Sequence, residues 1–189
     1  LTDYDTMYGV EILQAIQLPN NNIVLLHSSS QVNASSYVEN TNDKYFTLID
    51  NFGNRLLRVH NPNDTLVFFN SLIADEKMYY NNLNNTIECV ALRTISNDSI
   101  LFVKSIYNES LIKIGSITKI IFKKNANLNF YSYGIQNQYI SQYRSKNGNY
   151  FWYENFYEGN NSNYYPSRIL KLDGLGNMKF DTLISLVVL

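Results

Sequence analysis

The sequence is short of the residues from which reactive sites are usually built. It has one cysteine, Cys89, so no disulfide can form within the chain and no site of several thiolates can be assembled. Cys89 sits beside Val90 and reads as a small buried residue of a strand. The two histidines, His27 and His60, lie in no ligand-spaced cluster and read as surface or loop residues. Charge is sparse: 16% of residues are charged and the net charge is −1, which offers no basic face for a nucleic acid. No apolar run approaches the roughly 18 residues of a membrane-spanning helix, and Ile184 to Leu189 falls far short of it.

What the 189 residues do contain is enough apolar and aromatic mass for a sizeable core. Hydrophobic residues make up 45% and aromatic residues 14% of the chain, which argues against disorder. Asn is abundant and clusters with Tyr and Ser, a mixture suited to turns and strands rather than to helices. Short branched or aromatic runs alternate with turn residues along the chain. Pro19-Asn20-Asn21-Asn22 is a turn, and Ile23-Val24-Leu25-Leu26 a buried strand. His27 to Asn42 reads as a polar loop. Lys44 to Asp50 and Arg55 to Val59 form a hairpin, with Asp50 opening and Gly53 closing a type I turn. Leu66 to Phe69 is a further short strand, and Asp75-Glu76-Lys77 is the one place where a helical turn could open.

The pattern then returns. Ile100 to Val103 follows Asn97-Asp98, Leu128 to Phe130 follows Lys124 to Asn127, and Tyr150 to Tyr153 follows Asn147-Gly148. Residues 169–180 (ILKLDGLGNMKF) align with residues 46–57, matching Asp50 with Asp173, Gly53 with Gly176, Asn54 with Asn177 and Leu57 with Phe180. The turn residues Asn20, Asn97 and Asn147 are separated by 77 and 50 residues (97 − 20 and 147 − 97). An interval near 50 suits four-stranded propeller blades. The expected fold is therefore all-β: antiparallel four-stranded repeats near 12–60, 88–133 and 138–183 in one domain, with 61–87 an insertion or a degenerate repeat. A β-propeller, complete and small or partial, and a β-sandwich are both compatible with these hairpins.

With both hairpins aligned, the chain resembles the divergent β-propeller repeats of bacterial secreted and cell-surface proteins. In those repeats a hairpin of the form hydrophobic-Lys-Leu-Asp-x-x-Gly-Asn-hydrophobic follows an Asn/Asp-Gly hairpin. Residues 169–180 match that motif closely, residues 46–57 well, and residues 120–130 loosely, with Lys124 where Asp is expected. The resemblance implies a propeller and a secreted, periplasmic or cell-surface setting. It implies no particular activity, because such folds carry both binders and enzymes.

Candidate sites are few. No Ca²⁺ loop, glycine-bounded serine elbow or phosphate-cradling glycine loop is present, and no catalytic residue or cofactor is assigned. Asp50 and Asp173 are accounted for as turn residues. Glu154 and Glu158 flank the densest aromatic segment and could form a carboxylate pair, although solvated loop acids describe them as well. Within that segment Tyr150 and Trp152 share one strand face, and Phe151 and Tyr153 the other. Trp152, Tyr150, Tyr164 and Tyr165 are the residues that could stack on a sugar or anchor a protein, the alternative being core packing. The sequence thus points to a non-enzymatic binding or scaffold module with a protein partner. A carbohydrate-binding or glycan-processing propeller, and a segment of a larger envelope assembly, stand as alternatives.

Overall fold

A computed structural model of the chain describes residues 8–31, 43–60, 74–96, 98–123, 137–157 and 167–184. They form twelve strands and, among the described residues, no helix. β1 (Tyr8–Gln17), β2 (Ile23–Gln31), β3 (Asp43–Ile49) and β4 (Arg55–His60) make one four-stranded antiparallel sheet, hydrogen-bonded in chain order. β5 (Ala74–Asn81), β6 (Thr86–Ser96), β7 (Ser99–Tyr107) and β8 (Lys113–Phe122) make a second in the same order. β9 (Asn137–Arg144), β10 (Tyr150–Tyr157), β11 (Ser167–Leu172) and β12 (Met178–Ile184) make the third. None of the three sheets closes on itself.

One turn recurs in five of the connections. In residues 18–22, 50–54, 108–112, 145–149 and 173–177 the first residue's N–H donates to the fifth carbonyl, and the fourth N–H donates back to the first carbonyl. The fourth residue is left-handed each time: Asn21 (φ 66°), Gly53 (φ 90°), Leu111 (φ 57°), Gly148 (φ 75°) and Gly176 (φ 74°). This is a type I turn closed by a bulge, the usual three-residue hairpin loop. In the β3–β4 and β11–β12 turns the aspartate explains the motif. Asp50 Oδ1 accepts the N–H groups of Phe52 (2.9 Å) and Asn54 (2.8 Å), and Asp50 Oδ2 accepts the Asn54 side chain (2.9 Å). Asp173 repeats all three bonds with Leu175 and Asn177, each at 2.9 Å. Asp-x-x-Gly-Asn is therefore a self-contained turn, as the sequence alignment of the two hairpins expects.

The same turn joins β7 to β8 in a form the motif did not show. Asn108 takes the place of Asp and accepts the N–H groups of Ser110 (3.0 Å) and Ile112 (2.9 Å), while buried Leu111 holds the left-handed position. The repeat is consequently set differently from the Asn20, Asn97, Asn147 spacing. Asn20 and Asn147 lie in the first connection of their sheets, whereas Asn97 falls between β6 and β7, the second connection of its own. The last strands end at His60, Phe122 and Ile184, an even 62 residues apart (60 to 122, 122 to 184). Residues 74–87, assigned by sequence to an insertion or degenerate repeat, form β5 and open β6, so Asp75-Glu76-Lys77 is strand rather than helical turn. β2 likewise extends through His27 to Gln31, where a loop was expected. Leu66 to Phe69, Lys124 to Phe130 and Leu186 to Leu189 lie outside the described residues.

The chain divides into two compact units. One comprises Leu1–Phe69, Met78–Glu88 and Ile106–Gly115; the other comprises Asn70–Lys77, Cys89–Ser105 and Ser116–Leu189. In the first, alternation along β2 and β3 buries Val24, Leu26, Phe46 and Leu48 on one face. Phe46 meets the edge of Tyr107 at 5.1 Å between centroids. Each such side chain contributes roughly 1.5–3 kcal/mol by burial. Gln14 completes this packing by bonding both backbone groups of Met78 (2.7 and 2.8 Å). In the second unit Phe102 packs at 5.6 Å against Tyr150, beside Trp152, Leu170 and Leu172, all fully buried. Lys104 Nζ reaches the Gly174 carbonyl (3.1 Å), and Gln142 Nε2 the Val90 carbonyl (2.9 Å). β7 is buried along nearly its whole length, as its continuous apolar run predicts.

Candidate functional site

Two of the aromatic residues singled out from sequence, Tyr150 and Trp152, are core. Trp152 and Tyr150 are both 0% exposed, so neither ring presents a surface to a sugar or a partner. Their neighbours on the opposite face are half-buried: Phe151 lies under Lys171 Nζ (5.6 Å), and Tyr153 donates to Ser167 Oγ (3.1 Å). Tyr164, Tyr165 and Glu158 lie outside the described residues, and Glu154 is a ladder residue of β10 paired with Arg168 and Ile140. The core reading of Tyr150 and Trp152 prevails because Trp152 pairs directly with Leu170 in the middle of its sheet.

Most of the remaining polar candidates are tied into the framework. Arg168 and Asp181 form a buried pair with both carboxylate oxygens within 3.1 Å of Nη1. Cys89, buried as expected, directs its thiol at Glu76 Oε1 (3.1 Å). Tyr80 donates to Glu109 (2.5 Å); partial burial and that carboxylate push its phenol up to about 12. At Asp173 burial alone would raise the carboxyl. Hydrogen bonds from Asn177, Lys179 and the Leu175 amide outweigh it and hold the group well below the usual carboxylate range. Asp50 is lowered as well, chiefly by the Asn54 side chain. Among the described residues no three His, Cys, Asp or Glu side chains are grouped so as to hold a metal ion.

One constellation is not explained by the framework, and it unites both histidines. The register of the first sheet places His27 opposite Tyr45 and Tyr45 opposite His60 across β2, β3 and β4. The His27 ring stacks on Tyr45 (5.8 Å between centroids, 21° between planes), and His60 meets the edge of Tyr45 at 5.3 Å. Arg58, exposed on β4 and opposite Thr47, lays its guanidinium over the Tyr45 ring at 3.9 Å. Arg55, also exposed, stands opposite Ile49 further along the same strand pair. A guanidinium over an aromatic face is held there by the attraction of the cation for the ring. Arg58 has no ion-pair partner among the described residues.

His27 is not the surface or loop histidine that its sequence context suggests: it is 7% exposed and within β2. Its Nε2 lies 2.8 Å from Thr47 Oγ1, while Nδ1 is buried with no hydrogen-bond partner. Burial, followed by the positive field of Arg58, lowers the imidazole pKa and keeps it neutral at pH 7. His60, by contrast, is exposed at the strand end. This cluster was missed because His27, Tyr45 and the Arg58–His60 pair come from three strands, 18 and 13 residues apart in sequence (27 to 45, 45 to 58), and meet only through strand register. The available signal was alternation: Tyr45, Thr47 and Ile49 share a face in any strand reading, and so do Leu25 and His27. Comparison of the chain with protein-family models, with curated proteins and with solved structures returns no match.

Proposed function

We propose that the chain is a non-catalytic binding or scaffold module whose three sheets are blade-like repeats of β-propeller type, belonging to a secreted or surface-attached bacterial protein. The observation that carries the binding part is the exposed Arg58 stacked on Tyr45 beside His60. Arg and Tyr are the residue types on which interfaces concentrate their energy, and here they are held in place by one another. The blade part is supported by the even repeat, the shared turn before each last strand, and the exposure of the last strands β4 and β8. A glycan-stacking role through Trp152 and Tyr150 has lost its motivation, because both rings are buried. The partner is therefore taken to be a protein.

Affinity capture from the envelope and medium of the source organism, comparing wild type with Arg58→Ala, tests this reading. One protein retained by the wild type and released by Arg58→Ala, with an unchanged melting curve for the variant, is the expected result. Recovery no different from that on an unrelated bait of equal charge would sink it.

A further inference from the structure

We propose that the open face of the third sheet docks on the open face of the first sheet of a second copy of the chain, head to tail; this rests on the blade reading above and names the partner of the face that carries Arg58. Burial differs among the three sheets in a way that points to it. In the second sheet β6 is buried on both sides, with Ile87, Cys89 and Ala91 on one and Glu88, Val90 and Leu92 on the other, and β7 is buried along nearly its whole length. The other two sheets are covered on one side each. In the first, Val24, Leu26, Phe46 and Leu48 are buried, whereas Ile23, Leu25 and Ile49 on the reverse are half-buried. In the third, Tyr150, Trp152, Leu170 and Leu172 are buried, whereas Phe151, Tyr153 and Ile169 on the reverse are half-buried.

The shared turn shows that these are opposite sides of equivalent sheets. Turn 18–22 leads into β2 as turn 145–149 leads into β10, and turns 50–54 and 173–177 follow β3 and β11 alike. Ile23 and Leu25 are thereby the equivalents of Tyr150 and Trp152, and Val24 and Leu26 those of Phe151 and Tyr153. The ladders agree: Leu25 faces Thr47 as Trp152 faces Leu170, and Val24 faces Leu48 as Phe151 faces Lys171. The side covered in the first sheet is the side left open in the third, and the reverse. Joining the two open sides therefore continues the packing the chain already makes where Phe46 meets Tyr107 and where Phe102 meets Tyr150. The two sides are unlike, so the contact is heterologous, and a second copy supplies the missing partner of each. Both carry side chains suited to it. Tyr143, Phe151, Lys171 and Phe180 form one row across the third sheet, with Tyr143 and Phe180 exposed. Ile12, His27, Tyr45 and His60 form one across the first, with Ile12 exposed and Arg58 over Tyr45 beside it. Aromatic and Arg side chains are the types that protein contacts favour.

A head-to-tail contact has a signature that a contact between like faces lacks. Ile12→Asp spoils one face and Tyr143→Asp the other, so each variant alone should associate roughly tenfold more weakly than the wild type or worse. An equal mixture of the two keeps one intact contact, between the third sheet of the first variant and the first sheet of the second, and should associate again. Sedimentation equilibrium over a range of concentrations measures the wild type, each variant and the mixture. Leu25→Asp with Phe151→Asp repeats the experiment at more central positions, and a wild-type melting curve is required of every variant compared. A wild-type chain that stays monomeric at every concentration would overturn the proposal. So would folded variants that associate undiminished, or a mixture no stronger than its parts. If capture returns an Arg58-dependent protein other than this chain while the wild type is monomeric, the self-contact fails and the binding module stands. If the mixture recovers association while Arg58→Ala associates as well as the wild type, the contact stands and the reading centred on Arg58 fails.

Discussion

Two glycines that play the same part in the same turn have different surroundings. Gly53 and Gly176 are both left-handed, and an added β-carbon would cost each roughly 1–2 kcal/mol of backbone strain. At Gly53 nothing lies within 4 Å of that carbon, but at Gly176 it would stand 2.6 Å from Cδ1 of the fully buried Phe102. Gly53→Ala should therefore lower stability by about 1–2 kcal/mol. Gly176→Ala should lower it by a further ~1–3 kcal/mol of overpacking. Equal urea midpoints for the two variants would show that the Phe102 contact is absent. The alignment of the two hairpins identified both glycines from sequence, but it predicts equal costs, because the neighbour at Gly176 comes from another sheet. Leu111 shows the converse case. It accepts the left-handed state, at about 1 kcal/mol, in exchange for burial worth about 1.5–3 kcal/mol. Truncation to Ala keeps the strain and loses the burial, whereas Gly loses both. Leu111→Gly should thus be more stable than Leu111→Ala by about 1 kcal/mol, the reverse of the ordinary order in a strand. A chemical melt of the pair checks this, and the ordinary order would refute the turn assignment at residues 108–112.

Strands and their ladders decide how the chain responds to pH. His27 has a folded-state pKa below its ordinary value of about 6.5, so below that pH the unfolded chain binds a proton that the folded chain refuses. Its stabilisation is complete above about pH 6.5 and is lost as the pH falls from there toward the folded-state value. Asp50 and Asp173 are also lowered, so their share is intact above about pH 4 and is lost only as the pH falls further, through the folded-state values. Acid destabilisation should accordingly come in two stages, and His27→Gln should remove the first while leaving the second. Urea midpoints between pH 8 and pH 3 in phosphate-free buffer measure it; a first stage surviving in the variant would place its origin elsewhere. On β11 and β12 the buried pair of Arg168 and Asp181 makes a second demand. Asp181→Ala leaves a guanidinium inside the sheet and should cost about 3–5 kcal/mol, far more than Lys179→Ala at the exposed bridge to Asp173. Much at this scale was legible beforehand. Turn residues such as Asp50-x-x-Gly53 carry their bonding pattern within five positions, so sequence displays them. His27, Tyr45, Arg58 and His60 do not, because their meeting depends on a register set by the packing of Val24, Leu26, Phe46 and Leu48. The aromatic segment misled for a related reason. Tyr150 and Trp152 share a face, as read, but which face is buried depends on what packs against it.

If the three four-stranded sheets are blades, as proposed, they meet a closure problem at the scale of the whole molecule. Closed propellers use about four to eight blades, and an incomplete ring exposes sheet surface that a neighbouring blade would otherwise cover. The repeat unit here is regular, with last strands ending 62 residues apart (60 to 122, 122 to 184), β4 and β8 largely exposed and β12 partly so. Further blades from a second copy of the chain would resolve the problem at the cost of association entropy, and a pair of copies would bring six sheets together. The isolated chain should then run as a dimer by size-exclusion chromatography with light scattering, and its melting temperature should rise with protein concentration. Removing surface charge is the wrong lever for this, because a blade contact is apolar. Phe122 and Ile120 on β8 are 66% and 53% exposed, and Phe180 on β12 is 47% exposed. Ile120→Asp with Phe122→Asp probes whether β8 takes part, and Phe180→Asp probes β12 separately. A variant that converts the dimer to a monomer, with the near-ultraviolet signal of buried Trp152 intact, identifies the contact strand. A wild-type chain that remains monomeric at every concentration, melts cooperatively and keeps the same midpoint would show that three sheets are sufficient by themselves, and the blade reading would give way to a self-contained stack.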